Sequence, residues 1–132
     1  MIVDSSAIVA CIEQEPAYER LYERILSEPS PGIGAPTLVE TGIVLVTRVG
    51  DHALSLVGRF LIEAEAVVIP FGDQHWQVAI DAHRRYGKGR HRAGLNFGDC
   101  LTYAVATLSG LPLLCVGDDF AQTDLELVPL TP

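Results

Sequence analysis

The sequence predicts an α/β fold in which a parallel sheet carries helices on its faces. Three observations lead there. Short β-rich runs alternate with longer segments whose apolar residues recur at helical spacing. Capping residues and Gly or Pro breaks fall at the joints between them. Hydrophobic residues make up 48% of the 132, and a chain of this length buries roughly two-thirds of its unfolded surface around one core. Residues 1–132 therefore read as one domain, with no repeat, linker or low-complexity tract.

In order along the chain, residues 1–4 read as a strand. Ser5 and Ser6 then offer caps to a helix whose apolar face is Ala7, Ile8, Cys11 and Ile12. A second helix starts near Pro16, places Tyr18, Leu21, Tyr22 and Ile25 on one face, and stops before Pro29. Ile33-Gly34-Ala35 is a short strand. Thr37 opens a third helix that runs to Gly50, where glycine takes the left-handed stop conformation. Asp51 caps a fourth helix through about Ala64. Val67-Val68-Ile69 reads as a buried strand ending at Pro70, and Asp73 as the plain cap of a fifth helix ending near Tyr86. The basic loop 87–94 follows. Asn96 caps a sixth helix, apolar nearly all round from Leu101 to Leu108 and therefore central. Leu113 to Val116 is a strand, Phe120 to Leu125 a short helix, and Leu127-Val128 an edge strand cut off by Pro129.

Net charge is −8, which by itself disfavours a phosphate polyanion as partner, because affinity for phosphate comes largely from Lys and Arg. The distribution says more. Arg84, Arg85, Lys88, Arg90 and Arg92 are five of the nine basic residues, gathered in one stretch, with Lys88, Arg90 and Arg92 as candidates for gripping a nucleic-acid backbone. An acidic chain still handles a polyanion if bound cations reverse the local field. Three cysteines without a CxxC pair, Cys11, Cys100 and Cys115, read as buried thiols in a reducing compartment. The start Met-Ile-Val-Asp has no basic stretch ahead of an apolar one, and no apolar run is long enough to span a bilayer. A cytoplasmic protein without membrane contact is expected.

The carboxylates carry the chemistry. In a parallel sheet every strand-to-helix junction lies on one edge, and ligands bind there, where the strand order reverses. Asp4 ends the first strand, Glu40 lies in the first turn of the third helix, Asp99 in the first turn of the sixth, and Asp118 and Asp119 follow the last strong strand. Each has an ordinary reading as a helix cap, Thr37-x-x-Glu40 as a capping box above all. Together they are harder to explain so. Two carboxylates 4 Å apart repel by about 4 kcal/mol at an effective dielectric near 20, whereas a cap contributes only ~1 kcal/mol. Either the acids do not converge or cations hold them. Oxygen ligands without His or Cys suit Mg²⁺ or Mn²⁺ rather than zinc, and such sites perform phosphoryl chemistry.

The run Met1-Ile-Val-Asp4-Ser-Ser-Ala, the isolated Glu40, Gly94-Leu95-Asn96-Phe97-Gly98-Asp99-Cys100 with Tyr103-Ala104, and Gly117-Asp118-Asp119-Phe120 with Thr123-Asp124 resemble the PIN-domain ribonuclease toxins of the VapC type, in order over the whole chain. The resemblance implies a three-layer α/β/α sandwich and a Mg²⁺-dependent endoribonuclease, with Mn²⁺ as a substitute. It also implies a cognate antitoxin as restraint and a homodimer. By the same resemblance Asp4 and Asp99 are the principal metal ligands, and Glu40 and Asp119 complete the acidic set, directly or through water. Asp118 stands where the family often has asparagine, so the doublet offers two candidates, of which we take Asp119. Ser6 either adds a hydroxyl to the site or only caps the helix.

Other features weigh less. The four histidines form no ligand pattern, Trp76 reads as core, and Tyr86 as helix-end packing rather than a base-stacking ring. A phosphatase with an aspartyl nucleophile wants a second acid two residues on, but position 6 is serine. The alternative from another class is a non-catalytic domain that binds metal, RNA or protein and keeps the acids as caps.

Overall fold

A computed structural model of the chain describes residues 1–130. Four parallel strands, β1 (Ile2–Val3), β2 (Gly32–Gly34), β3 (Val67–Ile69) and β4 (Leu113–Leu114), form one sheet in the order β3-β2-β1-β4. Six helices connect and cover them: α1 (Ser5–Ile12), α2 (Tyr18–Leu26), α3 (Ala35–Val49), α4 (Ala53–Ala64), α5 (Asp73–Tyr86) and α6 (Phe97–Ser109). A 3₁₀ turn, Asp119–Gln122, follows β4. The register sets Ile2 opposite both Gly32 and Leu113, and Val3 opposite Leu114.

Alternation along the strands sorts the core into two layers. Val3, Ile33 and Leu114 face one way and pack with α1, α2 and α4 through Ile8, Ile25 and Phe60. Ile2 and Leu113 face the other way and meet α5 and α6 through Ala82, Tyr103 and Val105. The sheet is thus sandwiched between helices, the architecture expected. The sixth helix is central as its all-round apolar pattern predicts: Thr102 to Ala106 are all buried. Among the described residues no helix is long and apolar enough to cross a membrane.

Several local expectations are corrected. Val67 and Val68 are 50% and 45% exposed, because β3 is an edge strand with a single neighbour; an apolar run cannot tell an edge from a centre. Trp76, expected in the core, is 52% exposed, since α5 turns Ala79 and Ala82 inward instead. The third helix starts two residues early, at Ala35, with Gly34 as cap and Pro36 in its first turn, where a missing N–H costs nothing. Thr37-x-x-Glu40 is therefore no capping box. Asp51 does not cap α4, whose cap position is His52, nor Asp73 α5, where the Gly72 N–H donates to His75 Nδ1 at 3.1 Å. The helix expected over Phe120 to Leu125 is the 3₁₀ turn, and Leu127 forms a single parallel bridge to Leu113 rather than a strand.

Beyond the 3₁₀ turn, the C-terminal loop is tied down by Tyr103, 2% exposed, whose hydroxyl donates to Asp124 Oδ1 at 2.6 Å. Arg85 donates to the Tyr103 hydroxyl and to Asp124, both at 3.3 Å. Burial and the Asp124 carboxylate push the phenol up to about 12. Tyr103→Phe keeps the packing and removes the bond, so denaturant unfolding should show a loss of about 1–2 kcal/mol.

Candidate active site

The strand order reverses at β1, which has β2 on one side and β4 on the other. The carboxyl ends of β1 and β4 therefore flank the crevice where ligands bind in such sheets. Asp4 leaves the end of β1 directly, and its amide donates to the Leu114 carbonyl at 2.9 Å. It is 4% exposed, a buried carboxylate, and also the cap of α1. Its Oδ2 accepts from the Ser6 amide at 3.1 Å and the Ser6 hydroxyl at 2.6 Å, and its Oδ1 accepts from the Thr102 hydroxyl at 3.0 Å. The Ser6 oxygen in turn accepts from the Val116 amide at 2.9 Å, pinning the end of the β4 segment to α1. Ser6 thus sits at the site and α1 is capped by Asp4 rather than by either serine.

Glu40 projects from α3 and accepts from the Ser5 hydroxyl at 2.8 Å. Its carboxyl group lies against the first turn of α6: a Cβ added at Gly98 would fall 2.7 Å from the Glu40 carboxyl carbon. Only glycine lets a side chain from α3 approach that backbone so closely. Asp99 follows at once, the third residue of α6, where it caps the helix. Asn96 accepts from the Asp99 amide at 2.8 Å, and Asp99 Oδ2 accepts from the Asn96 amide at 3.1 Å. The capping reading is thus true of Asp99, through bonds in both directions with Asn96.

Electrostatics link the acids to Asp99. Asp99 is pushed up to about 6, first by burial and then by the charges of Asp4, Asp119 and Glu40, against the lowering effect of the Asn96 amide. Of the doublet, Asp119 is among the charges that raise Asp99. The thiol of Cys115 rises to about 12 through burial and the charges of Asp4, Asp119 and Asp99. None of the six ion pairs among the described residues reaches Asp4, Glu40, Asp99 or Asp119. The convergence is open rather than closed: among the described residues no three Asp, Glu, His or Cys side chains form a ready metal cage. Mg²⁺ demands no such cage, since it commonly keeps several waters and takes one or two carboxylates. A hard, all-oxygen, cation-free donor set at a strand-order switch fits that ion.

Of the five clustered cations, two are used internally. Arg84 pairs with Asp81 at 2.7 Å and Arg85 with Asp124 at 3.3 Å. Lys88, Arg90 and Arg92 are exposed and make no ion pair among the described residues. They ride on a tight turn closed by Gly87 and Leu95, one residue before the Asn96 cap. Tyr86 packs against His91 and Tyr103, with ring centroids 5.2 and 5.8 Å away, the helix-end role expected for it. Sequence reasoning gives Ser5 and Thr37 only a place at a helix start, and Thr102 and the missing side chain of Gly98 no part in the site. A threonine inside an otherwise apolar central helix is nonetheless a legible signal.

With this fold and this acid-lined crevice, the comparison with known proteins is direct: residues 1–126 match the PIN domain, and the chain belongs to that family. Within it, the chain falls in the VapC group. It is 48% identical over 127 residues to Ribonuclease VapC36 of Mycobacterium tuberculosis, covering 96% of this chain and 91% of that one. It is 39% identical over 128 residues to Ribonuclease VapC of Mycolicibacterium smegmatis, covering 97% and 99%. Among solved structures, Mycobacterium tuberculosis VapC20, described as a sarcin-ricin loop cleaving toxin, superposes with a TM-score of 0.78 at 19% identity, over 96% of this chain and 97% of that one. VapBC2 of Rickettsia felis, bound to a DNA fragment from its promoter, gives 0.77 at 15% identity, over 96% of each chain. These last two speak to the fold.

Proposed function

We propose that the chain is a Mg²⁺-dependent endoribonuclease, the toxin of a toxin–antitoxin pair, and that it cuts RNA at the crevice formed by Asp4, Glu40, Asp99 and Asp119. The observation that supports this reading is that the charges of Asp4, Glu40 and Asp119, each from a different element, all act on Asp99 near the strand-order switch, in a chain nearly half identical to a named ribonuclease. Asp4 and Asp99 are the ligands of the divalent ion, with Glu40 and Asp119 completing the set directly or through water. Mn²⁺ is expected to substitute. When bound, the ion supplies a water nucleophile at neutral pH and neutralises charge on the phosphate oxygens. The chain's own part is to hold the carboxylates still, accept the proton of the attacking water, and seat the RNA backbone against Lys88, Arg90 and Arg92.

The test is to express the chain alone under inducible control and map new RNA ends, then to repeat the cleavage with purified protein with and without chelator. Growth arrest with discrete new 5′ ends, lost on chelation, is the expected result. Metal or RNA binding without turnover would instead favour a non-catalytic module. For the loop, reversing charge at Arg90 and Arg92 should weaken RNA binding and remove about two from the slope of log affinity against log salt, if each makes one phosphate contact. A salt slope unchanged by the double variant excludes the loop.

The VapBC complex among the structural relatives supports a cognate antitoxin as partner. A homodimer is supported by an exposed apolar face beside the site. Val39 and Ile43 of α3, Trp76 and Ile80 of α5, and Phe97 of α6 are 52% to 80% exposed around two adjoining depressions of about 740 and 700 Å³. Contiguous apolar faces of this kind mark association surfaces. Ile43→Glu is expected to shift sedimentation from dimer to monomer.

A further inference from the structure

We propose that Thr102, backed by Thr37, is a positioning residue that presents Oδ1 of Asp4 as the atom that holds the divalent ion; this rests on the metal-site reading above. The distances fix a chain of hydroxyls. Thr102 Oγ1 donates to Asp4 Oδ1 at 3.0 Å and stands 3.2 Å from Thr37 Oγ1, and all three residues are at most 4% exposed. An ionised carboxylate only accepts. The Thr102 proton therefore points at Asp4, its oxygen accepts from Thr37, and the polarity of the pair is set from α3 through α6 to β1. Aligned hydroxyls polarise one another, and a carboxylate at the end strengthens both bonds.

The two oxygens of Asp4 are left unequal. Oδ2 takes two donors, the amide and hydroxyl of Ser6, which occupy both of its lone-pair directions. Oδ1 takes one, from Thr102, and keeps a direction free for a ligand. Thr102 also differs from three other hydroxyls in helix interiors. Thr41, Thr47 and Ser109 each bond back to the carbonyl four residues before them, at 2.6–2.9 Å, whereas the Thr102 hydroxyl leaves its own helix for Asp4.

The experiment has two arms. In the first, Mn²⁺ binding is measured by calorimetry for the full chain, Thr102→Val, Thr102→Ser and Thr37→Val. Partners of metal ligands typically matter by 10–100-fold in affinity, so Thr102→Val should lose about that much, Thr37→Val less, and Thr102→Ser should recover most of it. Wild-type affinity in a folded Thr102→Val protein overturns the proposal; if that variant does not fold, wild-type affinity in Thr37→Val does the same. In the second arm, without metal, the melting-temperature drop caused by Thr102→Val is compared in the native and Asp4→Asn backgrounds. A smaller drop in the Asp4→Asn background is expected, and equal drops overturn the proposal. If the native chain binds no Mn²⁺, the metal reading fails by itself, and the second arm still decides whether Thr102 serves Asp4.

Discussion

Asp99→Asn is expected to reduce metal-dependent RNA cleavage by more than about 100-fold, a loss at least as large as that from disturbing a mere supporting residue of a metal site, while making the metal-free protein more stable at pH 8. The two effects share one cause. Asp99 is held near 6 by burial and by three neighbouring carboxylates, so its charge is costly without a counter-ion and useful with one. The sign follows from linkage. A carboxyl group whose folded pKa lies above its unfolded value binds more protons folded than unfolded between the two. Metal-free stability should therefore fall as pH rises from about 4 to about 6 and level off above. A two-unit rise corresponds to at most about 3 kcal/mol, reduced by whatever water screens the group. Asparagine at 99 removes that dependence. If the chain binds Mg²⁺ as proposed, the ion is expected to reverse that dependence in the native chain, adding about 2.7 kcal/mol at a hundredfold excess over its Kd. Thermal melts across pH, with and without Mg²⁺, decide this; a native chain whose metal-free stability rises from pH 4 to 6 in step with the variant's contradicts it.

Gly98→Ala should be the second large effect, and it separates function from stability. On helix propensity alone, alanine is favoured over glycine by roughly 1 kcal/mol, and Gly98 has an ordinary negative φ that alanine tolerates. The obstacle is the Glu40 carboxyl group, which occupies the space a Cβ needs. Glu40 ends a flexible side chain and can swing away, losing the Ser5 hydroxyl at 2.8 Å and its place beside Asp99. Cleavage is expected to fall by about 10–100-fold, the range for groups that support a metal site, with thermal stability equal to or above that of the native chain. Full activity in a stable Gly98→Ala protein would remove Glu40's placement from the mechanism.

Much of this was legible in one sequence. The period of the apolar residues fixed the α/β class and the number of long helices, because burying an apolar stripe leaves little choice of partner surface. The central place of the sixth helix followed from its lack of a polar face. Asp4, Asp99 and Asp119 could be singled out because each stands at a junction between a strand or loop and a helix, where a carboxylate is either a cap or a ligand, whereas Glu40 lies in the second turn of α3 and was singled out from a helix start placed two residues late.

Other features were decided only by the tertiary structure. Val67 to Ile69 has the composition of a buried strand and became an edge, since neighbours across a sheet come from elsewhere in the chain. The basic run divides into paired arginines and exposed cations because Asp81 and Asp124 stand near Arg84 and Arg85. Thr37, Thr102 and Gly98 take on meaning only where α3 and α6 cross over Asp4. A sequence records the backbone's periodic preferences, which are local. Which hydroxyl meets which carboxylate depends on packing between residues nearly a hundred positions apart, and only the assembled fold contains that information.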